Sequence, residues 1–510
     1  MQTTIFDMLY PKYKITKPIR LIEMFSGYGS QSLALKYLGV EFEHWKICEW
    51  AIKSIQAYKD IHFTDEKIDY SKKYLKEELI NILYSLGVSQ NYNEPMTFKQ
   101  VSRLGEIQLR KIYNNIKTTH NLVNIQQVKG KDLDIVDTNK YDYILTYSFP
   151  CQDLSLAGKR KGMSDTSTRS GMLWEVERIL TECKELGTLP QILLMENVPQ
   201  VHGTDNVNDF NKWQLALERL GYKSYFQDLI ATDYGIPQIR NRTFMISILG
   251  DYSYTFPEPI PLKLELKDLL EDNVDERYYL SDKMLNYMQS TSSGGISRKD
   301  MFERNFEVGN VRKTAATITT NAGQRANDNF IKVKNATKKG YLEATVGDGI
   351  DISNRMEYHR GTVQKDKSQT LTTSCDVGVL ELKKELCNKS IEDGKVKEND
   401  VIRHSYSNSR LNEWDKRNIE HNNLSPTLDT RCDCLGVVNN LRIRKLTPKE
   451  CFRLMGVKDE DYEKCAKNQS NSSLYHLAGD SIITLVLIAL FGELLQKDYK
   501  KLIERWNYNE

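Results

Sequence analysis

The sequence predicts a doubly wound α/β domain joined to a second, mainly β region, and three observations carry that prediction. Short apolar, β-compatible stretches alternate with helical patterns over residues 18–250, as parallel strands with helical crossovers require. Chemistry-bearing residues follow several of those stretches directly, at the strand ends where such sheets bind ligands. The alternation stops near Pro257, and residues 255–440 are polar, turn-rich and poor in long helical periods.

Taken in order, PIRLIEMF (18–25) reads as a strand, SGYGS (26–30) as a Gly-rich turn, and QSLALKYLG (31–39) as a helix ending at Gly39. HWKICEW (44–50) is a second strand. Residues 62–130 turn polar, with helical patches such as KKYLKEELINILYSLG, and read as a helical insertion. Further strands follow at YDYILTYSF, PQILLMENV and RTFMISIL, with a helix at KWQLALERLG. The expected organisation is a first domain over 1–254, a mainly β domain over 255–440, and a segment over 441–510 that returns to the first. In the middle region a short phrase recurs at 315–321, 368–374 and 425–431 (AATITTN, SQTLTTS, SPTLDTR), suggesting repeated strand-turn units.

At 510 residues, 40% hydrophobic and 27% charged, the chain has material for two or three globular domains. A net charge of +2 neither requires nor excludes nucleic acid, because clustering on one face is what matters. Nine cysteines without a signal peptide suggest reduced thiols in a cytoplasmic compartment. Cys432 and Cys434 have no second pair at zinc spacing. The apolar run Ser481–Leu495 is shorter than the ~20 residues of a membrane span and contains Glu493, so it reads as a buried helix and no membrane is expected.

Five motifs carry chemistry. In Phe25-Ser26-Gly27-Tyr28-Gly29-Ser30, two glycines permit a tight turn and close ligand approach at a helix N-terminus. A dinucleotide fingerprint would need a third glycine at position 32, where Ser32 stands, so a nucleoside without a pyrophosphate fits better. Glu49-Trp50 closes the next strand, where a carboxylate accepts ribose hydroxyls and an indole covers a purine. Cys151, in SFPCQDLS, follows a strand behind the φ-fixing Pro150; alone it reads as a small buried hydrophobe, and near a cation or helix N-terminus as a reactive thiolate. Glu196, in MENVP, follows an apolar strand whose surroundings favour a held proton; the plain alternative is a capping carboxylate. Arg240 and Arg242, two residues apart on an extended segment, share a face suited to oxygen acceptors, or to ordinary salt bridges.

FSGYGS, FPCQDLS, ENV, QIRNR, RKLTPKECFRLMG and AGDSI occur in that order. Together they resemble the ordered motifs of the C5-cytosine DNA methyltransferases of bacteria and phages, over roughly 18–60, 130–250 and 440–495. The resemblance implies a Rossmann-like, S-adenosylmethionine-dependent methyltransferase domain, with 255–440 as target-recognition domain. It implies Cys151 as nucleophile, Glu196 at N3 and the exocyclic amine of a flipped cytosine, and Arg240 or Arg242 at the cytosine O2. Phe25, Gly27, Gly29, Glu49, Trp50, Asp132, Leu173, Asp480 and Ser481 would bind the cofactor, and no metal is required. Two positions depart from the family pattern: Asp480 stands where Asn is common, and Ser30 where another glycine is usual. The implied partner is double-stranded DNA, bound by a monomer in a prokaryotic, nucleoid-associated setting, with a cognate restriction endonuclease acting separately or none. The rivals are a transfer-RNA cytosine-5 methyltransferase, against which the large 255–435 segment argues, and an inactive DNA-binding protein, which would have lost Cys151 or Glu196.

Overall fold

The computed structural model describes residues 10–150, 171–278, 331–334, 341–344, 348–351, 362–371, 377–382, 401–403, 419–420, 435–437 and 441–508. Cys151, the phrases at 315–321 and 425–431, and Cys432 and Cys434 lie outside the described residues, as do Thr372–Ser374 of the phrase at 368–374. Two compact units are formed: Met1–Leu264 with Thr372–Ser374 and Cys451–Glu510, and Glu265–Leu371 with Cys375–Glu450.

The first unit is built on a six-stranded sheet. Its elements run β1 (Ile19–Met24), α1 (Ser30–Tyr37), β2 (Phe42–Cys48), α2 (Ile52–His62), α3 (Lys76–Leu86), α4 (Phe98–Ser102), α5 (Glu106–Thr118), β3 (Asp142–Tyr147), α6 (Met172–Glu185), β4 (Ile192–Asn197), α7 (Val207–Leu220), β5 (Tyr222–Ile230), β6 (Gln238–Ile239) and β7 (Asn241–Leu249). The strand order is β2-β1-β3-β4-β7-β5. β1 pairs in parallel with β2 and β3, and β3 with β4, while β7 runs antiparallel between β4 and β5. β1, β3 and β4 are buried along their whole length, which is why they read as unbroken apolar runs rather than alternating ones.

This topology decides where the motifs meet. The order reverses between β1 and β3, so a crevice opens beyond the carboxyl ends of the parallel strands. FSGYGS, Glu49-Trp50, Ser148-Phe149-Pro150 and Glu196-Asn197 all leave those ends. Because β7 is antiparallel, its beginning lies at the same edge, and the register Asn197↔Thr243 brings Arg242 beside the end of β4.

Between α2 and β3 the chain forms the helices α3, α4 and α5, with their own apolar core of Leu79, Leu83, Leu109, Ile112 and Ile116 closed against Ile55 of α2. The carboxyl-terminal segment contributes α8 (Pro448–Arg453), α9 (Asp459–Ala466), α10 (Asn471–Asp480), α11 (Thr484–Leu495) and α12 (Lys500–Glu504). α11 is the apolar run of the sequence, and it is buried against α1 rather than lying free. Asp461 of α9, fully buried, accepts from Lys36 Nζ (2.8 Å) and Tyr37 OH (2.8 Å), tying this segment to α1.

Among its described residues, the second unit holds short antiparallel strands. Gly349–Asp351 pairs with Val363–Gln364 and Val377–Leu382, which in turn pairs with Leu441–Lys445. Val401–Arg403 lies between Ile419–Glu420 and Leu435–Val437, and Ile331–Lys334 pairs with Tyr341–Ala344. The buried Asp348 carboxylate accepts from Lys365 Nζ (2.6 Å) and Asp366 N (3.1 Å), pinning the turn that follows Val363–Gln364.

Candidate active site

A cavity of about 400 Å³ opens at the carboxyl edge of the sheet, within the first unit. Phe25, Ser26, Gly27, Glu49, Trp50, Phe149, Pro150, Glu196, Arg240, Arg242, Asp480 and Ser481 all line it. Residues drawn from six separate stretches of sequence thus face one space.

At one end, the Gly-rich turn bends on left-handed backbone at Phe25 (φ 58°), Gly27 (φ 54°) and Gly29 (φ 85°). Gly27 N donates to Glu49 Oε2 (3.1 Å), and Ala51 N donates to Glu49 Oε1 (2.7 Å). Both bonds hold the carboxylate against the turn, and Asn121 clamps the Glu49 backbone from both sides. Burial raises the Glu49 pKa to about 7, partly countered by the Ala51 and Gly27 N–H groups. Ser26 Oγ is buried and has no hydrogen-bond partner among the described residues. Aromatic side chains at Phe25 and Trp50, the Glu49 carboxylate as acceptor and the buried Ser26 hydroxyl, all lining the cavity, suit a nucleoside of S-adenosylmethionine size.

At the other end, Arg242 Nε lies 3.1 Å from Glu196 Oε1. Burial raises the Glu196 pKa, and the charges of Arg242 and Arg240 act against that rise. The neighbouring Asn197 Nδ2 donates to the carbonyl of Phe149 (3.0 Å), so β4 holds the backbone that leads into Cys151. Arg240 reaches across to the carboxyl-terminal segment, donating to the carbonyls of Gly479 (3.2 Å) and Ser481 (2.7 Å). It thereby fixes the wall that carries Asp480.

Three expected cofactor residues do not line the cavity. At Gly29 a Cβ would meet His62 Nε2 at 2.5 Å and Tyr58 Cε2 at 2.6 Å, so the turn is packed too closely there for a side chain. Asp132 Oδ2 accepts from Lys129 N (2.9 Å) and caps its own short 3-10 turn, which is anchored on α6 by the bond from Gly130 N to Glu182 (2.6 Å). Asn124 and Ile125 form the wall instead. Leu173 is wholly buried in the core, and its neighbour Met172 lines the cavity.

The sequence reading also missed lining residues. Tyr92, on the loop between α3 and α4, places its ring 3.8 Å from that of His476, and His476 Nδ1 lies 2.9 Å from Asp480 Oδ2. The one available signal was that His476 precedes Asp480 by one helical turn; nothing in the sequence pointed to Tyr92. Among the described residues no cluster of three or more His, Cys, Asp or Glu side chains is placed to hold a metal ion.

Residues 99–496 match the C-5 cytosine-specific DNA methylase family. The chain is 29% identical over 484 residues to the type II methyltransferase M2.ScrFI of Lactococcus lactis subsp. cremoris, covering 94% of this chain and 99% of that protein. It is 37% identical over 278 residues to the orphan methyltransferase M.SssI of Spiroplasma monobiae, covering 53% of this chain and 69% of the relative. To the orphan methyltransferase M.SPRI of Bacillus phage SPR it is 25% identical over 525 residues, covering 94% and 97%. With the Rossmann-like sheet and the motif-lined cavity, these matches establish that the chain belongs to the C-5 cytosine-specific DNA methylases and is an S-adenosylmethionine-dependent DNA (cytosine-5)-methyltransferase.

Proposed function

We propose that the protein methylates C5 of a flipped-out cytosine within a specific duplex sequence, through a covalent bond between Cys151 and C6 of the base. C5 is too weak a nucleophile to attack a sulfonium methyl group unaided. Addition of the Cys151 thiolate to C6, with a proton supplied at N3, makes C5 enamine-like. S-adenosylmethionine supplies the methyl group. Loss of the C5 proton to a base and elimination of the thiolate then restore the aromatic ring.

The observation that carries this reading is that Glu196, Arg242 and the Phe149–Pro150 approach to Cys151 line one cavity together with Glu49 and Trp50, with Arg242 3.1 Å from Glu196. Glu196, with its raised pKa, holds the proton for N3, and Arg242 orients that carboxyl group and faces the base oxygen. Phe25, Gly27, Trp50, Asp480 and Ser481 enclose the cofactor, with Glu49 on its ribose. Since the reacting atoms lie inside the base stack, the cytosine must leave the duplex at a cost of a few kcal/mol. The unit spanning 265–450 is the proposed target-recognition region.

The type II names of several relatives support a place in a restriction-modification system, with a separately acting endonuclease; the orphan and phage relatives support a solitary enzyme. In either case we propose a monomer acting in the cytoplasm on the nucleoid, without a metal. Duplex DNA carrying 5-fluorocytosine in the target tests the covalent step, because fluorine cannot leave as a proton. A denaturation-resistant protein–DNA adduct is expected with the cofactor present and none for Cys151→Ser; absence of the adduct from the native enzyme overturns the mechanism.

A further inference from the structure

Among the described residues, the cavity is lined by the carboxylates Glu49, Glu196 and Asp480 and by the basic side chains Arg240, Arg242 and His476. The arginines are engaged elsewhere: Arg242 pairs with Glu196, and Arg240 donates to the carbonyls of Gly479 and Ser481. That leaves His476 facing Asp480, at 2.9 Å. The imidazole is held from its other side by the Tyr92 ring, 3.8 Å between centroids, on a loop whose backbone is left-handed at Tyr92 (φ 62°).

Asp480 stands next to the part of the cavity best suited to an anion. Ser26 Oγ lies there without a hydrogen-bond partner among the described residues, the N-terminus of α1 begins at Ser30, and Ser481 Oγ approaches within 3.8 Å of a Cβ position on Gly27. S-adenosylmethionine has one anionic group, its carboxylate. An uncompensated Asp480 would repel it.

Resting on the reading of this cavity as the cofactor site, we propose that His476 is a positioning residue. Its imidazolium neutralises Asp480, so that a wall bearing a carboxylate accepts the carboxylate end of the cofactor. The groups facing His476 are Asp480 on its own helix, Tyr92 from the α3–α4 loop, and Glu49 at the end of β2. Burial opposes a charge on the imidazole, and the Asp480 carboxylate 2.9 Å away outweighs it and raises the pKa. The insertion, through Tyr92, thus serves the cofactor site by keeping the ring in place.

Titration calorimetry on the full chain tests this with two probes: S-adenosylhomocysteine, which keeps the carboxylate, and 5′-methylthioadenosine, which lacks it. For His476→Gln, affinity for S-adenosylhomocysteine falls about tenfold, the scale of one modest charge interaction, while 5′-methylthioadenosine binds within about twofold of the native value. In an Asp480→Asn background the same substitution costs less than about threefold, because the charge to be neutralised is gone. His476→Lys restores binding. The native affinity for S-adenosylhomocysteine also weakens as pH rises through the His476 ionisation, a limb absent from His476→Gln; the Glu49 ionisation is common to both proteins. Equal losses for the two probes, or the same loss with Asp480 and Asn at 480, overturn the proposal and assign His476 to packing. If the native protein binds neither nucleoside, the cofactor reading itself fails and this inference with it. If it binds both and His476→Gln is unchanged, this inference alone fails.

Discussion

Asn197 Nδ2 donates to the carbonyl oxygen of Phe149 at 3.0 Å, so the end of β4 holds the backbone two residues before Cys151. The same side chain accepts from its own following amide, Val198 N (2.8 Å), which fixes its orientation. The Glu-Asn-Val tripeptide therefore has two places in the site: Glu196 lines the cavity, and Asn197 holds the backbone that leads to Cys151.

Asn197→Ala removes that hold. The carbonyl of Phe149 loses a buried partner, which costs about 1–3 kcal/mol at the loop, and misplacing a nucleophile is penalised steeply. We expect kcat to fall roughly 10- to 100-fold in single-turnover methylation with little change in affinity for S-adenosylhomocysteine. Comparable losses in both quantities would contradict a loop-positioning role.

Arg242→Met changes the pH dependence of catalysis. Arg242 favours the charged form of Glu196, so its removal raises the Glu196 pKa further. The protonated carboxyl then persists to higher pH, and the descending limb of the rate profile moves upward even though the rate itself drops. A rate profile measured from pH 5.5 to 9.5 that kept its limb in place would show that Glu196 is not the titrating group.

Glu23 governs stability rather than turnover. It lies fully buried in β1, accepting from Ser32 N (3.3 Å), Ser32 Oγ (2.6 Å) and Tyr58 OH (2.5 Å), and burial raises its pKa from 4.5 to about 7. With a folded pKa above the unfolded one, the protonated form stabilises the fold below about pH 4.5, and that contribution is lost as pH rises through 7. Relative to the native protein, Glu23→Gln should gain roughly 3 kcal/mol in unfolding free energy between pH 4.5 and 7.5. The comparison is made at each pH because the neighbouring His44, which burial holds neutral down to about pH 4, adds an opposite slope common to both proteins. Parallel denaturation curves at every pH would refute the assignment.

Gly29→Ala should destabilise the first unit. The new methyl would sit 2.5 Å from His62 Nε2 on a backbone with φ 85°, so both packing and conformation oppose it. A loss of about 2–4 kcal/mol by urea denaturation is expected, exceeding that of Gly39→Ala, whose Cβ would meet nothing within 4 Å. Equal effects at the two positions would show that the contact with Tyr58 and His62 is easily relieved.

The sequence alone determined the chemistry and its order along the chain. Apolar strands buried on both faces announce themselves as continuous runs, and turn glycines, Pro-Cys and Glu-Asn-Val follow them at fixed places because that edge of a parallel sheet is where the backbone leaves the core. Tertiary structure decided which of several plausible residues face the ligand. Asp132 and Asn124 are both polar residues ahead of β3, and the closure of a local 3-10 turn turned the first away while the second forms the wall. Arg240 and Arg242 looked interchangeable until β7 was paired antiparallel with β4, which set Arg242 on Glu196 and left Arg240 holding Gly479 and Ser481. Tyr92 and His476 are separated by 384 positions in sequence (476 − 92), and only packing of the insertion against α10 brings their rings together. Local periodicity reports which residues leave the core; which of them meet depends on long-range pairing, which no short stretch of sequence encodes.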